Sequence, residues 1–208
     1  HSAYAAFRKA AWSRNVAAQS YAHAAAIAGR RGMWSDMLRD AQSALDVETR
    51  HPYAGILAAI ATYRLDRADD AVDRLRAILQ DSPLHHTAHF LLTLYGMESA
   101  AEFCARLHSD PAETALDIAE ELLEVGMAGE IAALFRMIEE ELGAERLSAM
   151  AYYTLADAYE QLGHNAEADL YRKKARSMPI VRVFPHRLFE IDILRRACEA
   201  DDGDGVRR

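Results

Sequence analysis

Apolar and small side chains recur through most of this chain at spacings of three and four residues, the period of a helix that buries one stripe. Nowhere do they alternate strictly, as a half-buried strand requires, and β-branched residues are too scattered to write one. Between 127 and 141, for example, Ile131, Leu134, Phe135 and Ile138 fall on one stripe, with Glu130, Glu139 and Glu140 largely off it. Starts and stops read from Pro, Gly and Asp/Ser caps predict helices over 3–12, 15–29, 34–47, 53–65, 68–80, 84–95, 97–107, 111–125, 127–141, 147–162, 164–177 and 186–200. Pro52, Pro83 and Pro111 are each placed at the start of a helix, where a missing N–H costs nothing. The predicted class is all-α.

The helices repeat. Sliding the segment around Gly32 by 34 positions onto the segment around Asp66 superposes Ala24 on Ala58, Ala25 on Ala59, Met37 on Ala71, Ala41 on Leu75 and Ala44 on Ile78. The same grammar returns as Tyr152, Leu155, Ala156, Tyr159, Gly163, Ala168, Tyr171, Ala175 and Pro179. Small residues stand where paired helices approach, Gly163 ends a first helix, and Pro179 stops a second. That order resembles the tetratricopeptide repeat, which implies a solenoid of helix pairs wound as a right-handed α-α superhelix. The turn residues Gly32, Asp66, Gly96, Gly126 and Gly163 stand 34, 30, 30 and 37 residues apart, so the middle repeats are degenerate.

The expected organisation is a leading helix over 1–14, helix pairs over about 15–51, 52–83, 84–109, 110–146 and 147–179, an unpaired or capping helix over 180–200, and an acidic flexible tail over 201–208. A first helix at the carboxyl end without its partner exposes an apolar face. Leu188, Phe189, Ile191 and Leu194 are therefore candidates for self-association, or for contact with the continuation of a longer chain.

Composition narrows the function. With 208 residues and 51% hydrophobic content the chain can bury a sizeable core. A formal net charge of −8, with no basic stripe free of carboxylates, argues against a nucleic-acid partner. Cys104 and Cys198 stand in no metal-ligand spacing and fit a reducing compartment. No apolar run reaches the length of a membrane span, and no signal pattern opens the chain, although His1 in place of Met leaves room for a removed targeting segment.

Few constellations suggest chemistry. His85 and His89 share a helix face and are the weak candidates for metal binding; they lack the Glu of a His-Glu-x-x-His motif and any marked third ligand, so no metal or cofactor is expected. Glu120, Glu121 and Glu124 read as a solvated helix face, since nothing desolvates one relative to another. No phosphate loop, nucleophile elbow or Cys-His pair appears, and the Asp201–Asp204 tail lacks calcium-loop spacing. A binding surface, if repeat geometry holds, lies on the concave face of the first helices. Counting from the turns places His23, Tyr63, Arg64, Asp117, Glu120, Glu124, Tyr153, Asp157, Glu160 and Gln161 there. Its carboxyl-terminal half is acidic, with Tyr153 as an aromatic platform, and suits a basic or hydrogen-bonding partner.

A further resemblance rests on Val183, Phe184, Pro185, His186, Arg187, Leu188, Phe189 and Glu190 with Leu194 and Ala197, on Asp81, Pro83 and Leu84 leading into Ala88 and Phe90, and on Thr114, Ala115, Leu116, Ile118, Ala119 and Gly126. These stretches resemble the carboxyl-terminal tetratricopeptide region of large bacterial proteins that carry an amino-terminal β-sandwich domain of unknown function, similar in appearance to sugar mutarotases. Ser82 interrupts the Asp-Pro-Leu string. The resemblance implies a bacterial, carbohydrate-related parent and transfers no catalytic residue; the cysteine usage and the missing signal pattern add the expectation of a cytoplasmic setting. Two functions are thus expected. One is a non-catalytic scaffold binding a protein, a peptide, a neighbouring domain or a second copy, with no nucleic-acid or membrane partner; the other is a helical appendage of a carbohydrate-active protein that assists oligomerisation or sugar-site assembly.

Overall fold

The computed structural model describes residues 2–13, 16–107, 109–179 and 185–205. His1, the end of the acidic tail, and Val183 and Phe184 of the carboxyl-terminal string lie outside the described residues. The chain is all-α among the described residues. Its helices are α1 (Ser2–Ala10), α2 (Ala17–Arg30), α3 (Trp34–Val47), α4 (Pro52–Arg64), α5 (Ala68–Asp81), α6 (His86–Leu94), α7 (Ala100–Ala105), α8 (Pro111–Val125), α9 (Ala128–Leu142), α10 (Ala149–Gln161), α11 (Asn165–Ser177) and α12 (Leu188–Gly205). No helix among the described residues is long and apolar enough to cross a membrane.

The repeat is written in the turns. Gly32, Asp66, Gly96, Gly126 and Gly163 all take left-handed backbone, from φ 59° at Asp66 to 79° at Gly126 and Gly163. In each turn the next residue donates its N–H to the carbonyl five positions back: Met33 to Ala28, Arg67 to Thr62, Met97 to Leu92, Met127 to Leu122 and His164 to Tyr159. This closure satisfies carbonyls that the helix end would leave open. Asp66 is the one non-glycine there among the described residues, and Asp tolerates this region better than most residue types.

The chain divides into two compact units, residues 1–103 with 124–126, and residues 104–123 with 127–208. In the first unit α2 packs on α3, α3 on α4 and α4 on α5. The first helices are enclosed: Ala54 through Thr62 of α4 are buried without a break. The second helices bury one stripe each, Met37, Asp40, Ala41 and Ala44 on α3, and Ala71, Val72 and Leu75 on α5. Of the superposed repeat positions, Ala24, Ala25, Ala41, Ala44, Ala58, Ala59, Met37, Ala71 and Leu75 have no exposed surface. Ile78 is half-buried over Gly55, where an added Cβ would meet its Cδ1 at 3.0 Å. That closeness explains a glycine inside a helix interior.

In the second unit α10 packs on α9 and α11, and α12 packs on α10. Tyr159 and Tyr171 stack at 5.4 Å, and Tyr152 lies beneath them without exposure. Tyr152 donates to Glu139 Oε1 at 2.9 Å, and Lys174 bridges the same carboxylate while its ammonium sits 4.5 Å over the Tyr152 ring. Burial pulls the Lys174 pKa down, but its bonds to Glu139 and Tyr152 outweigh that and leave it raised. This lysine is held as a cation that ties α9, α10 and α11 together, the opposite of what a nucleophilic amine needs.

Several element ends differ from the expected ones, and three helices show why. Pro83 precedes α6 rather than opening it, because His85 donates its N–H to the Ser82 carbonyl in a turn that delays the helix to His86. α7 begins at Ala100, where Ser99 and Glu102 form a reciprocal cap: Ser99 N–H donates to Glu102 Oε2, and Glu102 N–H to Ser99 Oγ. α12 starts at Leu188 and reaches Gly205, beyond the expected end at 200. Glu190 holds its start by accepting from the backbone N–H groups of His186 and Arg187.

Candidate interaction face

Within the second unit the first helices α8 and α10 present three carboxylates to one helix, α12. Glu113 and Asp117 stand one turn apart on α8, so their side chains share a face. Asp157 lies on α10. Arg187, just before the first residue of α12, donates Nε at 3.0 Å and Nη2 at 2.6 Å to Asp117 Oδ1, Nη2 at 3.0 Å to Glu113 Oε2, and Nη1 at 2.6 Å to Glu190 Oε1. Its Nη2 also donates to the Glu113 carbonyl at 3.3 Å. Burial lowers the Arg187 pKa, and its hydrogen bonds to Asp117, Glu190 and Glu113 more than restore it, so the group is raised. A planar fork saturated in this way is a task for arginine rather than lysine.

Two turns along α12, Arg196 donates Nε to Asp157 Oδ1 at 2.7 Å, and that bond raises the arginine's pKa against a smaller effect of burial. Gln161 donates to the other oxygen of Asp157 at 2.7 Å. Ile193, between the two arginines, and Ala197, just after the second, are buried. Leu188 and Ile191, on the far side of α12, are 82% and 53% exposed; Phe189 and Leu194 are half-buried.

The sequence-predicted inner-face residues fall into three groups. Asp117, Asp157 and Gln161 converge on the α12 contact. Glu120 is exposed on α8 and Tyr153 is half-buried on α10. Glu160 accepts Arg172 Nη2 at 2.5 Å across the α10–α11 pair, and its charge also helps to raise the Arg196 pKa. Three residues advance a helix by about 300°, a net offset of about 60° from Asp157, so Glu160 lies at the edge of that face on the side of α11. In the first unit His23 lies 4.0 Å from Glu124 Oε2, which accepts Tyr53 Oη at 2.5 Å. Tyr63 stacks on Tyr95 at 3.6 Å, and the Arg64 guanidinium lies 5.4 Å over Trp34.

His85 and His89 sit in different surroundings. His89 is buried, with Nδ1 2.8 Å from Glu98 Oε1 and Nε2 3.0 Å from the Pro83 carbonyl, two acceptors that occupy both ring nitrogens. His85 has its pKa lowered, first by burial. Among the described residues no three His, Cys, Asp or Glu side chains gather as a metal set. Sequence reasoning missed Glu113, Arg187, Glu190 and Arg196. Arg187-x-x-Glu190 was visible as a pair spaced three apart, and Arg195-Arg196 as the basic spot on α12.

No protein-family model matches this chain, and no curated protein matches it. Among solved structures it is similar to YrrB, described as a tetratricopeptide repeat protein with an unusual peptide-binding site, at 17% identity over 91% of this chain and 98% of that one, with a TM-score of 0.45. It is also similar to a tetratricopeptide repeat protein from Parabacteroides merdae, at 19% identity over 79% and 67% of the two chains with a TM-score of 0.43. A third is MamA MSR-1 C2, at 16% identity over 77% and 95% with a TM-score of 0.39.

Proposed function

We propose that this chain is a non-catalytic helical-repeat module that holds a protein or peptide on the carboxylate-bearing face of its first helices α8 and α10. One observation carries the reading. Among the described residues, Glu113, Asp117 and Asp157 meet the arginines at the start of α12 and along it. The side chains of Glu113 and Asp117 remain 41% and 67% exposed with α12 in place, so they can attract a cationic partner from solution. The carbohydrate-related parent rests on the sequence resemblance alone.

Replacing both Glu113 and Asp117 by lysine should abolish partner capture by a photo-crosslinker placed at Glu120 of the full chain, with helicity by circular dichroism unchanged. Capture that survives the double change would overturn the reading.

The exposed side chains of Leu188 and Ile191 favour a second reading, self-association through the outward face of α12, with Phe189 and Leu194 at its margin. Light scattering should then find an assembly that Leu188→Gln with Ile191→Gln returns to a folded monomer; a monomer before substitution removes this reading.

A further inference from the structure

We propose that α12 is a displaceable occupant of the α8–α10 face, and that the partner it gives way to is an amphipathic helix of the same chemistry: arginine just before its first turn and again nine residues on, flanking a short apolar seam. The inference rests on the interaction reading above and names its partner class.

The seam between α12 and α10 is thin. Among its described residues the buried apolar ones are Ile193 and the small Ala197, while Leu188 and Ile191 stay in solvent. A hold with so little apolar burial depends on its charged hydrogen bonds. Those are directional, as the Arg187 fork on Asp117, Glu113 and Glu190 shows, and they weaken where water reaches them. α12 also does not extend the pattern of the pairs before it. Its backbone packs on α10, and Arg187 reaches back to α8, so it bonds to two successive first helices. That placement is how a bound helix would lie.

A competing helix must reproduce three things. It needs a planar guanidinium at its start to satisfy Asp117 and Glu113 together, a carboxylate three residues later to take the third edge of that guanidinium, and a second arginine for Asp157 beside a branched apolar residue and a small one. α12 supplies these as Arg187, Glu190, Arg196, Ile193 and Ala197. In the exposed state left by its release, Glu113 and Asp117 face solvent and Asp157 keeps Gln161.

The probe is a fluorescent peptide of residues 185–200 with serine at 198, titrated into the full chain and into Arg187→Glu with Arg196→Glu, which sets carboxylate against carboxylate and frees the face. The doubly substituted chain should bind the peptide about tenfold more tightly than the parent. A peptide carrying lysine in place of Arg187 should bind several-fold more weakly than the arginine peptide. Equal affinity for parent and variant would overturn the occlusion while leaving the interaction reading in place; no binding to either would sink both.

Should the substituted chain lose its helicity, a second pair keeps the test. A peptide with Glu at 187 and Arg196 kept for Asp157 should bind chains carrying Glu113→Arg and Asp117→Arg more tightly than it binds the parent, and the reverse order of affinities refutes the proposal. Energy transfer between two populations of chains labelled at Cys198, abolished by excess peptide, would assign the face to a second copy's α12 and overturn the proposed partner.

Discussion

The leading helix α1 and the last helix α12 are both fastened by arginine to aspartate, and the fastening at the start of α12 is wet on the opposite side from that of α1. In α1, Tyr4 Oη donates to Asp40 Oδ2 at 2.7 Å and Arg8 Nη1 to Asp40 Oδ1 at 2.9 Å. Asp40 is sealed, while the Arg8 side chain is 40% exposed. At the start of α12 the donor is sealed, Arg187 at 8%, and its acceptors on α8 are open to water, whereas Arg196 and Asp157 further along repeat the α1 arrangement, with the acceptor sealed. A sealed acceptor is committed to the donors it has, since a carboxylate deprived of them in the interior carries a desolvation cost. An open acceptor can exchange one donor for another, or for water. The difference separates the α1 fastening from the one at the start of α12, where an exchange of donors would begin.

Thiol chemistry should sharpen this contrast most. Cys198 is exposed on α12, whereas Cys104 is buried, and burial together with the nearby Glu141 charge pushes its thiol up to about 11. Because the thiolate is the nucleophile, Cys198 should label at pH 8 at least ~100-fold faster than Cys104. The Cys104 rate should then climb with pH towards about 11. Comparable rates at pH 8, measured by mass spectrometry of the labelled peptides, would show that the core around Cys104 opens as readily as the surface.

Aspartate removal comes next. Asp40→Ala strips the acceptor from Tyr4 and Arg8 and should cost the first unit about 2 kcal/mol in urea unfolding, a figure moderated by the half-exposed arginine. Asp117→Ala leaves Arg187 with Glu113 and Glu190 and should cost less than about 1 kcal/mol. Equal losses would break the distinction between committed and exchangeable acceptors.

The sequence made the helices and their turns legible because both have local signatures. Gly32, Asp66, Gly96, Gly126 and Gly163 are the residue types that accept left-handed backbone, and all five adopt it. The repeated Ala positions were legible for the same reason: only small side chains permit the approach of α2 to α3 or of α4 to α5. A cap that was locally written, Ser99-x-x-Glu102, was read through as helix interior, which placed the start of α7 three residues early. The face itself was half visible. Asp117 and Asp157 follow from counting along first helices, but Arg187 meets Asp117 across 70 positions, and no local pattern announces a contact of that range. Arg187 beside Glu190 looks like an ordinary surface pair until α8 is brought against it. Glu160 shows the converse limit, since periodicity gives a residue's angle around its helix and not which neighbour lies at that angle.

Salt is the gentlest probe and bears on the same contrast. Raising ionic strength screens charge pairs that water can reach and leaves sealed ones nearly untouched. Glu113 and Asp117 are reachable, so amide exchange over 188–197 should accelerate about two- to fivefold between low and moderate salt. Exchange over α1 should change less, because its acceptor Asp40 has no exposed surface. If both helices respond alike, the open acceptors on α8 confer no special readiness to let α12 go. If only α12 responds, its hold depends on the charges a competing helix would have to supply.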